Sequence, residues 1–398
     1  MPPSPLILIP VISLMASMSS QFVNPIIAVY ARDYLNATVV EIGLIVSVFS
    51  IASIISTPII GLYCQGIRTL YAFWLGLALI AFPTIGMALV KSPIIFVVLR
   101  IFQGIGNSMF WAPGMTLVAL ISTKERLGRD LSNYSFVISI GMSLGPAFGS
   151  MSVATFGARI SFLVPSAIML IGFLLGIILV RHRELFRKRL NYEDAGSVSL
   201  RELPRIFSGF SFEMAFMAYV SLSFIYGILV TYGTLYFKDT FNVLDEEVAF
   251  LFFGYNLVIM FSRFSLRKLV QITSKRNILL LSLANYVAML IIIEVSGSFL
   301  LFVGAFCLLG LSHGLIYPTG VLLIAETTET RDLAFTNSVY LMGWDLGNIL
   351  GPIVAAPFTM YYGTRTALFI ALLSAITVFL ITLLLFGKRL RNRPNVNI

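Results

Sequence analysis

Long apolar runs alternate with short polar breaks along the whole chain, and twelve such runs can be counted. An α-helix needs roughly 20 apolar residues to cross about 30 Å of hydrocarbon. The pattern predicts membrane-spanning helices over 6–31, 41–63, 70–90, 94–121, 132–156 and 160–180. A second set is predicted over 213–237, 247–266, 277–295, 299–324, 334–357 and 366–387. The eighth run is the most interrupted, because Arg263 and Arg267 sit in its last turns. The first run lacks a basic leader and a small-residue cleavage site, so it reads as an uncleaved helix. One break is long. Residues 181–212 are charged and polar, dividing the chain into a bundle at 1–180, a cytoplasmic linker at 181–212, and a bundle with a basic tail at 213–398. The start of that linker suits an amphipathic helix lying on an anionic leaflet, a reading compatible with a plain solvated connection.

Composition agrees with lipid as the solvent. Of the 398 residues 58% are hydrophobic and only 11% charged, where a soluble domain carries about 25% charged residues. A net charge of +9 in a soluble protein would suggest a nucleic-acid partner. Here the cations lie between the apolar runs and set topology instead. With both termini cytoplasmic, 20 Lys and Arg face inward, five face outward (Arg32, Lys91, Arg159, Lys238, Arg365), and Arg100 and Arg263 fall within spans. That bias fixes the orientation by the positive-inside rule. Cys64 and Cys307 lie far apart in sequence and suggest neither a disulfide nor a metal site. No cofactor site is visible, and the expected partners are a small-molecule substrate, protons and the lipid bilayer, with the chain working as a monomer.

Sliding the sequence against itself by 206 positions superposes the two halves. Tyr30-Ala31-Arg32-Asp33 falls on Tyr236-Phe237-Lys238-Asp239, and Glu41 on Glu247. Gly104 meets Gly310, Asn107 meets His313, Trp111 meets Tyr317, and Gly114 meets Gly320. Gly145-Pro146 lands on Gly351-Pro352, Gly157 on Gly363, and Arg159 on Arg365. A constant offset through all of these predicts an all-α integral membrane fold of two pseudo-symmetric six-helix bundles. Parallel repeats of this kind belong to transporters whose substrate site lies near the bilayer midplane.

Three motifs sharpen the picture. LRIFQGIG in the fourth span, with Arg100, Gln103, Gly104 and Gly106, resembles the RxxQGxG motif of the major facilitator superfamily. GMSLGPAFGS in the fifth, with Gly141, Gly145, Pro146 and Gly149, is similar to the antiporter motif GxxxGPxxGG, with Ser150 in place of its last glycine. The loop from Gly61 to Arg68 departs from GxLxDxxGRR, carrying Gln65 at the acidic position. The resemblance covers essentially the whole chain and leans toward the twelve-helix drug:proton antiporters. It implies the major facilitator fold, a proton-coupled cycle, and a role for Arg100 in tuning or pairing with a proton-accepting carboxylate.

Residue by residue, a cation in mid-span costs roughly 2.5–3.5 kcal/mol on insertion scales, which makes Arg100 a functional candidate. Gln103, Asn107 and Trp111 follow at i+3, i+7 and i+11, on the same helical face. Proton-coupling candidates are Arg100, Asp345, Asp33 and His313. Asp345 stands about 12 Å deep in the eleventh span at 1.5 Å per residue. Asp33 sits at the outer end of the first, which offers Ser17, Ser20, Gln21 and Asn24 in place of an acid. His313 and Tyr317 are one turn apart in the tenth. Substrate-cavity candidates are Gln21, Asn24, Gln103, Asn107, Trp111, Tyr226, Tyr232, Asn256, His313 and Tyr317. Gly141, Gly145, Pro146, Gly149, Gly343, Gly347, Gly351 and Pro352 are candidates for helix packing and gating, since small residues let helices approach closely.

These features argue for a secondary transporter by alternating access in the plasma membrane of a prokaryote-type cell, most simply a proton-coupled exporter of small amphipathic compounds. A symporter or uniporter for a sugar or organic acid fits the same fold. An enzyme is not expected, because the two histidines, His182 and His313, lie far apart and no triad or ligand spacing is present.

Overall fold

The computed structural model describes residues 5–64, 67–123, 126–184, 186, 209–326 and 333–391. Among them, twelve helices are long and apolar enough to cross a membrane. In hydrocarbon every backbone N–H and C=O must be satisfied within the segment, and uninterrupted helices do this. The first six spans run Pro5–Leu35, Val39–Tyr63, Ile67–Leu89, Pro93–Ile121, Leu127–Ser161 and Leu163–Arg181. The second six run Phe210–Phe241, Asp245–Ile272, Lys275–Val295, Phe299–Ala325, Leu333–Tyr362 and Arg365–Arg391. Several extend beyond the apolar windows because charge limits burial, not helix formation. The eighth thus continues past Arg263 to Ile272. The predicted linker is outside the described residues over 187–208, as are Gln65 and Gly66 of the degenerate loop.

Besides the kink at Gly157 in the fifth span, two spans contain breaks that apolarity does not signal. In the first, Asn24–Ile26 form a 3-10 turn where Pro25 removes a donor. In the seventh, Leu229–Gly233 form a π-helical turn.

The chain forms two compact units, Met1–Gly196 with Val230–Phe253, and Ser197–Leu229 with Gly254–Ile398. The grouping therefore cuts across the seventh and eighth spans. In the first unit the first span packs on the fifth and sixth, and the fourth on the second and third. In the second unit the seventh packs on the eleventh and twelfth, and the tenth on the ninth.

The repeat extends to the backbone. Asn36 and its mate Asn242 both take left-handed φ, of 53° and 52°, and Gly157 and Gly363 take 76° and 85°. Such φ values suit Asn or Gly after a helix, because neither suffers the full Cβ clash. After Asn36, Thr38 caps the second span, accepting from Glu41 N while Glu41 returns to Thr38 N at 2.7 Å. At the mate, Glu247 accepts from Leu244 N, also at 2.7 Å. Arg159 Nε donates to Ala88 O at 2.8 Å, and its mate Arg365 Nη2 donates to Glu294 O, the mate of Ala88, at 2.8 Å.

Candidate functional site

The fourth span begins with Pro93 at its first turn, where the missing N–H costs nothing. Arg100, Gln103, Asn107 and Trp111 then share one face and line a narrow cavity within the first unit, together with Ser20 and Asn24 of the first span. Its volume is about 30 Å³, room for a water-sized group. Arg100 is only 6% exposed. Its Nε donates to Ile45 O at 3.1 Å and its Nη1 to Gln103 Oε1 at 3.0 Å, while Gln103 Nε2 donates to Thr84 Oγ1 at 2.7 Å. The guanidinium also lies over the Phe49 ring, 4.4 Å from its centroid, a cation–π arrangement.

An acid beside Arg100 is missing from this picture. Between Glu41 and Glu125, and again between Asp130 and Glu184, the sequence has no Asp or Glu, and none precedes Asp33. Glu41 itself is engaged in the Thr38 cap. Nη2 of Arg100 takes no partner among the described residues. Beside this face Asn107 Nδ2 donates to Ser53 Oγ at 3.3 Å, and Ser108 Oγ to Ser53 O at 2.8 Å, tying the fourth span to the second. Gln21 sits apart from the cavity against Gly145, its Oε1 buried without a partner among the described residues.

In the second unit the corresponding positions are filled by rings. His313 Nδ1 and Tyr255 OH share a 2.6 Å hydrogen bond. Trp344 packs against His313 and Tyr226 at centroid distances of 5.1 and 5.2 Å, and Tyr219 against Tyr340 at 4.6 Å. Tyr317 joins this cluster beside Tyr219, and its carbonyl accepts from Tyr340 OH at 3.1 Å. Asp345 follows Trp344 and is half-buried. Asn256 is buried in the same unit. Tyr232 does not join Tyr226. It lies within the π turn and donates to Val39 O within the first unit, at 3.4 Å. Sequence reasoning did not single out Tyr219, Tyr255, Tyr340 or Trp344 as site residues. The signal available was Tyr219 at i−7 from Tyr226, on the same helical face.

Asp33 lies at the end of the first span in an ion-pair cluster, also internal to the first unit. Arg32 Nη1 reaches both carboxylate oxygens of Asp239 at 2.8 Å, and Lys238 Nζ reaches Asp33 at 2.6 Å. Lys238 also pairs with Asp245, and Arg32 Nε with Asp33 at 2.7 Å. Each repeat's cation thus takes the other repeat's acid.

The glycine runs are seams. A Cβ on Gly141, Gly145 or Gly149 would strike Ser17, Met18 O or Phe22 O of the first span. A Cβ on Gly343, Gly347 or Gly351 would strike Phe216, Ser223 or Phe224 O of the seventh. Pro146 and Pro352 sit within these helices, and Pro352 Cδ faces Gly227.

A model of the Major Facilitator Superfamily matches residues 11–293 and 240–397. The "Uncharacterized MFS-type transporter MJ1560" of Methanocaldococcus jannaschii is 25% identical over 250 residues, 62% of this chain and 64% of that protein, just under two thirds of its length. "Multidrug resistance protein 2" of Bacillus subtilis is 24% identical over 316 residues, 78% of each. "Quinolone resistance protein NorA" of Staphylococcus aureus is 22% identical over 346 residues, 84% of each. The crystal structure of the nucleoside transporter NupG superposes with a TM-score of 0.79 at 14% identity, covering 96% of this chain and 99% of that one, a likeness of fold.

Proposed function

Because this chain belongs to the major facilitator superfamily, a family of membrane transporters, we propose that it is a proton-coupled exporter of small amphipathic compounds working by alternating access. The observation that carries the export reading is the fifth-span seam, in which Gly141, Gly145 and Gly149 bring the first span to backbone contact. The names of two relatives, a multidrug resistance and a quinolone resistance protein, support it. The two halves, 1–180 and 213–398, act as the moving bodies, with the linker 181–212 and both termini in the cytoplasm of a plasma-membrane monomer. Asp345 is assigned as the proton-carrying acid. It follows Trp344 in mid-helix, and Trp344 packs with His313 and Tyr226 into an aromatic wall that suits an apolar cargo.

Purified protein in proteoliposomes with an imposed pH gradient tests this reading. Cationic, neutral and anionic amphipathic compounds are added, and proton and solute fluxes are followed together. Export predicts counter-directed fluxes that Asp345→Asn abolishes. Co-directed fluxes would make the protein a symporter. Solute flux without proton flux, unchanged in Asp345→Asn, would refute coupling.

A further inference from the structure

Arg100 is a buried cation whose frame does not need it. Its repeat-mate is Phe306, and the mates of its hydrogen-bonded neighbours Gln103 and Thr84 are Leu309 and Leu290. All three apolar residues are buried at 0–1% exposure. Where Arg100 lies over Phe49, Phe306 packs on Tyr255, the mate of Phe49, at 5.6 Å. The same helix contact is therefore made in the second unit with no charged side chain. Replacing a buried charge by well-packed apolar residues is often neutral or stabilising, so packing alone does not account for Arg100.

The surroundings say what that is. Among the described residues no carboxylate pairs with Arg100, and Asp33 and Glu41 are engaged elsewhere. Its Nη2 is left with donors to give, in a cavity of about 30 Å³. Ser20, Asn24 and Trp111 line the same cavity, and none of their side chains hydrogen-bonds to another described residue. Together they offer a hydroxyl, an amide and an indole N–H. One cation and three side chains that carry neutral donors line a space of this size, a composition suited to a small negative group.

We propose that the Arg100 cavity binds a small monovalent anionic group, a halide or a carboxylate, which supplies the counter-charge the first unit lacks. The carboxylate arm belongs to the cargo, so in that arm the site selects amphipathic anions. The halide arm makes it a co-ion site. The inference concerns binding alone and stands apart from proton coupling.

Full-length protein in detergent, in a Tris–sulfate buffer free of halide and carboxylate, is titrated by calorimetry with sodium bromide and separately with sodium benzoate. Saturable binding is expected. Arg100→Gln weakens it at least about tenfold, which is 1.4 kcal/mol, and Arg100→Lys retains most of it. Asn24→Ala weakens it while leaving the thermal unfolding of the anion-free protein unchanged, which guards against a misfolded Arg100→Gln. Competition between the two anions assigns the group to a carboxylate-bearing cargo, and bromide binding that benzoate does not displace assigns it to a free ion. Binding of neither anion, or equal binding by wild type and Arg100→Gln, overturns the proposal. No proton gradient enters this assay, so its failure and that of proton-coupled export are read separately.

Discussion

Arg100 in the first unit and Phe306 in the second occupy equivalent places on equivalent helices, and almost everything around them has diverged in chemistry while holding its geometry. Gly104 and Gly310, four residues further along, both press against a carbonyl of the neighbouring span, Phe49 O and Tyr255 O. Ser20, Asn107 and Ile138 of the first unit correspond to Tyr226, His313 and Trp344, which pack together in the second. One half keeps a narrow polar cavity and a lone charge. The other fills the same volume with rings and carries Arg263 and Asp345 where the first has Thr57 and Ser139. Small residues that set helix spacing are shared between the halves, and the polar and charged residues proposed to meet a ligand or a proton are not.

The sharpest way to break this comparison is to transplant one half into the other. Thr84→Leu, Arg100→Phe and Gln103→Leu together give the first unit the core of the second. Compound-driven flux is expected to vanish, while stability holds or rises by about 1–4 kcal/mol, as when a buried polar network becomes well-packed hydrophobe. Transport assays beside thermal unfolding check it, and a collapse in stability would mean the charge serves the fold. Next in size, Gly104→Leu and Gly310→Leu are expected to destabilise alike, by about 1–3 kcal/mol or more from overpacking. Unequal melting shifts would show that the two seams are not equivalent. The smallest effect belongs to the ion pairs. Double-mutant cycles on Arg32→Gln with Asp239→Asn, and on Lys238→Gln with Asp33→Asn, should each give about 0.2–1 kcal/mol. The two coupling energies are expected to agree and to shrink with added salt, because these side chains are partly exposed.

Much of the architecture was legible because hydrophobic run length and a fixed offset are properties of sequence alone. The matches of Gly157 with Gly363 and Arg159 with Arg365 in the sequence reappear as matched dihedrals and matched hydrogen bonds. The face of Arg100, Gln103, Asn107 and Trp111 followed from helical periodicity, and these residues share one cavity. The breaks were less readable. Asn24-Pro25 hints at a distortion, but the π turn over Leu229–Gly233 has no proline and depends on packing that no local pattern records. Tyr226, Tyr232 and Asn256 are candidates for one cavity wall by sequence, and Tyr232 lies within the π turn with its hydroxyl donating to Val39 O. Tyr340 and Tyr219 come from distant spans, and only tertiary packing stacks one ring on the other.

The crossed ion pairs at Arg32, Asp33, Lys238 and Asp239 have a consequence for how such a chain can arise. A contact in which residue i meets residue j while j meets i is isologous, the kind made by two identical subunits across a dyad. A half-length ancestor with one basic–acidic pair at the end of its first helix could make both bonds with a second copy of itself. Fusing the two copies into one polypeptide would cost this contact nothing. It would also free each partner to change independently, as the replacement of arginine by lysine between the repeats records.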